Sequence, residues 1–82
     1  MSSPPEWEEV GGALERTFEL PSFVEAIAFV NRVAELAEQE NHHPDITVSY
    51  REVTLRWTTH SAGGITDLDR RLAARTDDLV RA

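Results

Sequence analysis

Residues 46–57 constrain the fold of this chain more than any other stretch. Ile46, Val48 and Tyr50 alternate with Thr47 and Ser49, and Val53, Leu55 and Trp57 alternate with Thr54 and Arg56. A period of two is the mark of a strand with one buried face, because successive side chains point to opposite sides. The two runs meet at Arg51 and Glu52, which predicts an antiparallel hairpin. A hairpin alone is marginal in water, so the rest of the chain must cover its apolar face.

Two amphipathic helices are available to do so. Ser22 and Glu25 stand at capping-box spacing, where hydroxyl and carboxylate each satisfy a free N–H of a first turn. Beyond them Phe23, Ala26, Ile27, Val30, Val33, Ala34 and Ala37 recur at helical spacing and define the expected buried face. This helix should run to about residue 39 or 40, ahead of a proline, Pro44, that cannot continue it. After a loop at 61–64, Thr66 and Asp69 repeat the capping pattern, with Leu68, Leu72 and Leu79 on one stripe. Residues 13–20 alternate at Leu14, Phe18 and Leu20 and read as one or two further half-buried strands. Residues 1–12 read as a loosely packed N-terminal arm, with Trp7 and Val10 as anchors and Gly11-Gly12 as a turn. The expectation is one α+β domain over 1–82: an antiparallel sheet of about four strands with two main helices packed on one face. Were Trp57 or Tyr50 to point to the other face, that face would also need cover, and a dimer would supply it.

With 82 residues the core is small. There is no cysteine, hence no disulfide and no thiolate ligand or nucleophile. The 15 acidic and 8 basic residues leave a net charge of −7, without the basic stripe that phosphate contacts demand, so direct nucleic-acid binding is not expected. No apolar run approaches the roughly 20 residues that span a bilayer, and the Pro- and Glu-rich start lacks the pattern of a signal peptide. A cytoplasmic, non-membrane protein is expected.

The chemistry-bearing residues are the three histidines. His42 and His43 are adjacent just past the first helix, and His60 lies at the end of the second hairpin strand. Adjacent histidines aim in different directions, H-E-x-x-H is absent, and no metal site is expected. There is no G-x-S-x-G elbow, and Gly63-Gly64 is only a turn signal. General acid–base chemistry fits better. Glu35, Glu38 and Glu40 crowd the negative end of the first helix, a poor choice for helix stability, and their field should favour a cation at His42. Read by spacing alone, His42-His43-Pro44 is more often a helix-terminating loop than a catalytic site, Asp69 is a helix cap whatever else it does, and Trp57 and Tyr50 are core or interface residues rather than stacking platforms.

The combined spacing Glu38-x-x-x-His42-His43-Pro44, then Tyr50, Val53, Leu55, Thr59-His60 and Gly64-Ile65-Thr66-x-x-Asp69 resembles the pterin-4a-carbinolamine dehydratases. The rhythm Phe23, Ala26, Phe29, Val33, Ala34 resembles the same family, so the likeness extends over roughly residues 14–80. The resemblance implies a dehydratase that turns 4a-hydroxytetrahydropterin into quinonoid dihydropterin and water, in tetrahydrobiopterin recycling, with no cofactor beyond the pterin substrate. It implies His42, His43 and His60 as catalytic residues, either His42 or His60 serving the leaving hydroxyl. Asn41, Thr58, Thr59 and Ser61 would bind the pterin edge, with Glu38, Pro44 and Asp69 in support and Asp69 orienting His60. It further implies a homodimer or homotetramer and an aromatic amino-acid hydroxylase in the same pathway. The same fold also resembles non-catalytic pterin-binding, coactivator and protein-assembly modules, which form the alternative.

Overall fold

A computed structural model describes residues 3–80. The strands are β1 (Glu8–Val10), β2 (Ala13–Glu19), β3 (Asp45–Ser49) and β4 (Glu52–Trp57), and the helices α1 (Phe23–Glu40) and α2 (Asp67–Leu79), with a short 3₁₀ turn at His60–Ala62. The strands form one antiparallel sheet in the order β1-β2-β4-β3, so the chain is α+β. In the central pair Leu14 lies opposite Trp57 and Phe18 opposite Val53, which sets the apolar row of β2 beside that of β4. That register makes Leu14, Phe18, Val53, Leu55 and Trp57 one buried surface, against which Phe29, Val33, Leu36 and Leu72 of the helices pack. The opposite face is polar: the Thr17 and Thr54 hydroxyls, cross-strand partners, lie 2.8 Å apart, and Arg56 donates to Glu15 at 2.7 Å.

Four details differ from the sequence-based expectation. Trp57 faces the helices and is fully buried, and Tyr50 sits in a turn, so neither asks for cover on the outer sheet face. The stripe on α1 is rotated: Ala26, Phe29, Val33, Leu36 and Ala37 are buried, whereas Phe23, Ile27 and Ala34 are exposed. Alanine and β-branched residues on both sides of a helix make the apolar arc wide, and only packing decides its centre. Residues 1–12 are not wholly loose either; positions 1 and 2 lie outside the described residues, but Glu8–Val10 pairs with β2 and Trp7 is buried. Trp7 packs edge-on against Phe18 and donates its indole N–H to Asp77 at 2.9 Å, while Arg16 donates to the same carboxylate at 2.6 Å. An aromatic with both a pocket and a partner for its N–H binds the segment to the body.

The hairpin turn is the fourth. It falls at Tyr50 and Arg51, not at Arg51 and Glu52, since Ser49 pairs with Glu52 and Glu52 opens β4. Tyr50 adopts φ 53° with a side chain left in solvent. A non-glycine residue in the left-handed region carries a cost of roughly 1–2 kcal/mol that asparagine tolerates better. Tyr50→Asn is therefore expected to stabilise the protein by about 1 kcal/mol, read as a higher urea midpoint at unchanged m-value.

Candidate active site

Helix α1 stops at Asn41, which takes the left-handed conformation (φ 50°, ψ 43°) that asparagine accepts more readily than most residues. The Asn41 N–H reaches the Glu38 carbonyl and the His42 N–H reaches the Ala37 carbonyl at 3.1 Å, the paired closure of a Schellman motif. The residue that usually makes an apolar contact back onto the helix is here His42. Its ring stacks on Trp57 with centroids 5.8 Å apart and planes 13° from parallel. One turn of backbone therefore fixes where His42 points, and the core indole fixes how its ring lies.

The second loop is equally constrained. Thr59 and Gly64 exchange backbone hydrogen bonds of 3.0 and 3.2 Å, closing a small hairpin around the 3₁₀ turn that carries His60 and Ser61. Gly63, at φ 75°, accepts the left-handed turn and donates to the His60 carbonyl. The two loops face each other. Asn41, His42, His43, Thr58, Thr59, His60 and Ser61 together line one cleft of about 330 Å³. That is near the lower end of the range for small-molecule sites, roughly 300–1,000 Å³.

Beneath the cleft lies Asp69, whose side chain is 0% exposed. Its Oδ2 accepts from the Thr66 N–H at 2.8 Å, the Thr59 hydroxyl at 2.7 Å and the Thr66 hydroxyl at 3.0 Å. Its Oδ1 faces His42 Nε2 at 2.7 Å. The sequence reading paired Asp69 with His60; the structure instead gives it to His42, because α2 enters beneath the end of α1 and His60 points from the loop rim. Burial acts most strongly on this carboxyl and pushes its pKa up, but hydrogen bonds from Thr59, the Thr66 N–H, His42 and the Thr66 hydroxyl outweigh it and hold the pKa below the ordinary value. An ionised Asp69 only accepts, so the hydrogen shared with His42 is borne by Nε2, which leaves Nδ1 as the ring nitrogen with a choice of partner.

The acidic end of α1 is spoken for elsewhere. Glu38 lies 2.6 Å from His43 Nε2, and Arg75 of α2 donates to Glu40 at 3.2 Å. The charge that faces His42 is thus Asp69, not the glutamates that the sequence reading invoked. Pro44 is half-buried between the histidine pair and β3. Thr66 and Trp57 belong to the site's support, the one through Asp69 and the other through the His42 ring; an aromatic ending a strand two residues before a histidine loop was the available signal for Trp57. Among the described residues no group of three or more His, Asp or Glu side chains is placed to hold a metal ion, and no helix is long and apolar enough to cross a membrane.

A depressed carboxyl pKa has a sign in stability. The unfolded chain holds its Asp69 proton up to about pH 4, the folded chain releases it at lower pH, so this contribution is complete above about pH 4 and is lost as pH falls through the folded value. Comparing wild type with Asp69→Asn by urea unfolding, the stability gap at pH 6 should narrow by pH 3. An unchanged gap would show that the carboxylate does not owe its stabilisation to being ionised.

The class is a mixed helix-and-sheet domain whose two loops bring three histidines to one cleft, one of them, His42, held by a buried, hydrogen-bonded carboxylate. The chain belongs to the pterin 4 alpha carbinolamine dehydratase family, which matches residues 1–79. Among its relatives, a protein of Thermomicrobium roseum named "Putative pterin-4-alpha-carbinolamine dehydratase" is 57% identical over 93% of this chain and 82% of its own. One of the same name from Picosynechococcus sp. is 48% identical over 96% and 86%. Among solved structures, a transcriptional coactivator/pterin dehydratase from Brucella melitensis superposes with a TM-score of 0.87 at 31% identity, covering 93% of this chain and 83% of that one. A pterin dehydratase-like protein identified as a RuBisCO assembly factor in the alpha-carboxysome gives 0.79 at 28% identity, over 92% and 89%.

Proposed function

We propose that this chain dehydrates 4a-hydroxytetrahydropterin to quinonoid dihydropterin in the recycling of tetrahydrobiopterin. The observation that carries the reading is that His42, His43 and His60, from two separate loops, line one cleft, with His42 backed by Asp69. In the reaction the C4a–O bond breaks and the hydroxyl leaves as water with a proton from an acid. The electron pair of the N5–H bond forms the C4a=N5 double bond, and that proton passes to a base. One acid and one base suffice, and no electrons are exchanged with a third party.

The geometry favours His42 as the base. A proton arriving at Nδ1 makes an imidazolium whose Nε2–H already faces the Asp69 carboxylate, which stabilises the charge as it forms. His60, on the exposed rim, would deliver the proton to the leaving hydroxyl and recover it from solvent. His43 is 57% exposed and turned toward Glu38, which suits positioning of substrate. Asn41, Thr58, Thr59 and Ser61 offer amides and hydroxyls to the donor and acceptor edge of the ring. Assembly into a dimer or tetramer belongs to the same proposal; the exposed Phe23, Val24 and Ile27 of α1 support it.

The single-histidine series tests these roles. His42→Ala and His60→Ala should each lower kcat by about 10²-fold or more, within the range for a lost general acid or base. His43→Ala should act mainly on KM. Equal, small effects of all three on a folded protein would contradict the acid–base reading. They would favour a non-catalytic pterin-binding, coactivator or assembly role, the last two being those that the two solved relatives are named for.

A further inference from the structure

A cation forming at His42 has little water around it. The side chain is 16% exposed, one edge of the ring is given to Asp69 at 2.7 Å, and one face lies on Trp57. Asp69 acts in the plane of the imidazole, along Nε2–H. Charge spread over the rest of the ring is left to be met across its face, and what lies there is an indole.

The aromatic pairs of this protein meet in different ways. Trp7 meets Phe18 at 68° and Phe18 meets Phe29 at 52°, the edge-on and tilted contacts that neutral rings adopt in a core. His42 and Trp57 lie 13° from parallel with centroids 5.8 Å apart. Such an offset stack presents the negative face of the indole to the imidazole, within the roughly 6 Å over which a cation is attracted to an aromatic ring. Packing alone does not ask for a tryptophan at this place. Leu14, Val53 and Leu55, on the same buried face of the sheet, have no polar atom to satisfy. The indole N–H instead needs Thr76, itself 0% exposed, as its acceptor at 3.2 Å. The core thus holds a polar pair that a leucine would not require, and that pair keeps the indole face under His42.

We propose, resting on the dehydratase reading above, that Trp57 is a positioning residue acting through His42: its indole face stabilises the imidazolium formed when Nδ1 takes the N5 proton of the pterin. The electron pair of that N–H bond stays with the pterin as the C4a=N5 bond, and the imidazolium resets by giving its proton to solvent. Asp69 and Trp57 then hold one charge from two directions, by a hydrogen bond in the plane and by the indole quadrupole across it. Only the charged ring makes the second contact, so it favours the transition state over the bound substrate and acts on kcat rather than KM.

Fluorination separates this role from packing, because fluorine withdraws π density from an indole with little change in its shape. 5-Fluoro- and 4,5,6,7-tetrafluorotryptophan are placed at position 57 by site-specific incorporation, with Trp7 left as it is. From indole to tetrafluoroindole kcat should fall stepwise, by about tenfold in all, with KM nearly constant. Trp57→Leu, which keeps an apolar side chain without a π face, should lose at least as much. A readout free of pterin is the urea midpoint at pH 5 and at pH 8, the span over which histidines change charge. The attraction is present below that span and lost as pH rises through it, so the tetrafluoro protein should lose more of its midpoint at pH 5 than at pH 8. Asp69, held below its ordinary pKa, is ionised at both. Glu38 and Glu40 face His43 and Arg75, and among the described residues neither His43 nor His60 lies on Trp57, so the fluorines act on His42. If wild type turns over and kcat is indifferent to fluorination, the indole is packing alone; this inference then fails while the dehydratase reading stands. A fall in kcat without divergence between pH 5 and pH 8 would also overturn it, since the loss would not come through charge on the imidazole. If wild type does not turn over, the reading and the role built on it fail together.

Discussion

Asp69→Asn should leave a folded protein whose dehydration rate is lower by about 10²–10⁴-fold, the scale on which a catalytic histidine held in the wrong tautomer loses activity. The reasoning is one of donors and acceptors. Oδ2 receives the Thr66 N–H, a donor that cannot reverse, along with two hydroxyls. The asparagine carbonyl must therefore occupy the Oδ2 place, which turns its NH₂ toward His42 Nε2. Nε2 then has to accept, and the ring proton moves to Nδ1, the nitrogen proposed above as the base. Nitrogen-15 spectra of His42 should show Nε2–H in wild type and Nδ1–H in the variant. Replacing charge-assisted bonds by neutral ones should also cost about 1–3 kcal/mol of stability. A variant of full activity, or one whose His42 keeps its tautomer, would contradict the role given to Asp69.

The largest loss of stability is expected from Trp57→Ala, about 3–5 kcal/mol. Trp57 is fully buried, lies opposite Leu14 in the sheet, and donates its indole N–H to Thr76 at 3.2 Å. Thr76 in turn donates to the Leu72 carbonyl at 2.6 Å, so the truncation leaves a cavity and a buried hydroxyl with one partner fewer. Native domains hold only about 5–15 kcal/mol in total, and 82 residues place this one toward the lower end. Trp57→Phe keeps most of the volume and the stack on His42 but drops the N–H, and about 1–2 kcal/mol is expected. Trp7, the other tryptophan, remains as a fluorescent reporter in both variants. The phenylalanine variant should lose less activity than stability would suggest, since the ring beneath His42 survives; the alanine variant should lose both.

How much of this was legible in the sequence follows from the range of the interactions. The period-two runs and the Ser22 and Thr66 caps are local, and strands and helices formed where those signals stood. The Tyr50 turn was misplaced by one residue because no Asn-Gly marks it, and a tyrosine at positive φ is sustained by the paired strands on either side. Rotation of the α1 stripe depends on which helix face meets Phe18 and Trp57, a contact no local pattern encodes. Asp69 was legible as a cap, and its bonds to Thr66 are that cap; its bond to His42 joins residues 27 positions apart and needs α2 to pass under α1. The same holds for the ring of His42 on Trp57. The gathering of His42, His43 and His60 was reached through the family resemblance, because their spacing alone does not bring two loops together.

The central claim is turnover, and it is tested most directly by following 4a-hydroxytetrahydropterin, generated in situ by a hydroxylase, through its ultraviolet signal. Wild type should speed the decay well above the unaided rate, and the His42→Ala, His60→Ala double variant, shown to be folded by its spectrum, should return it to that rate. A well-folded wild type that leaves the decay unchanged would contradict the account and place this chain among the binding and assembly members of its fold.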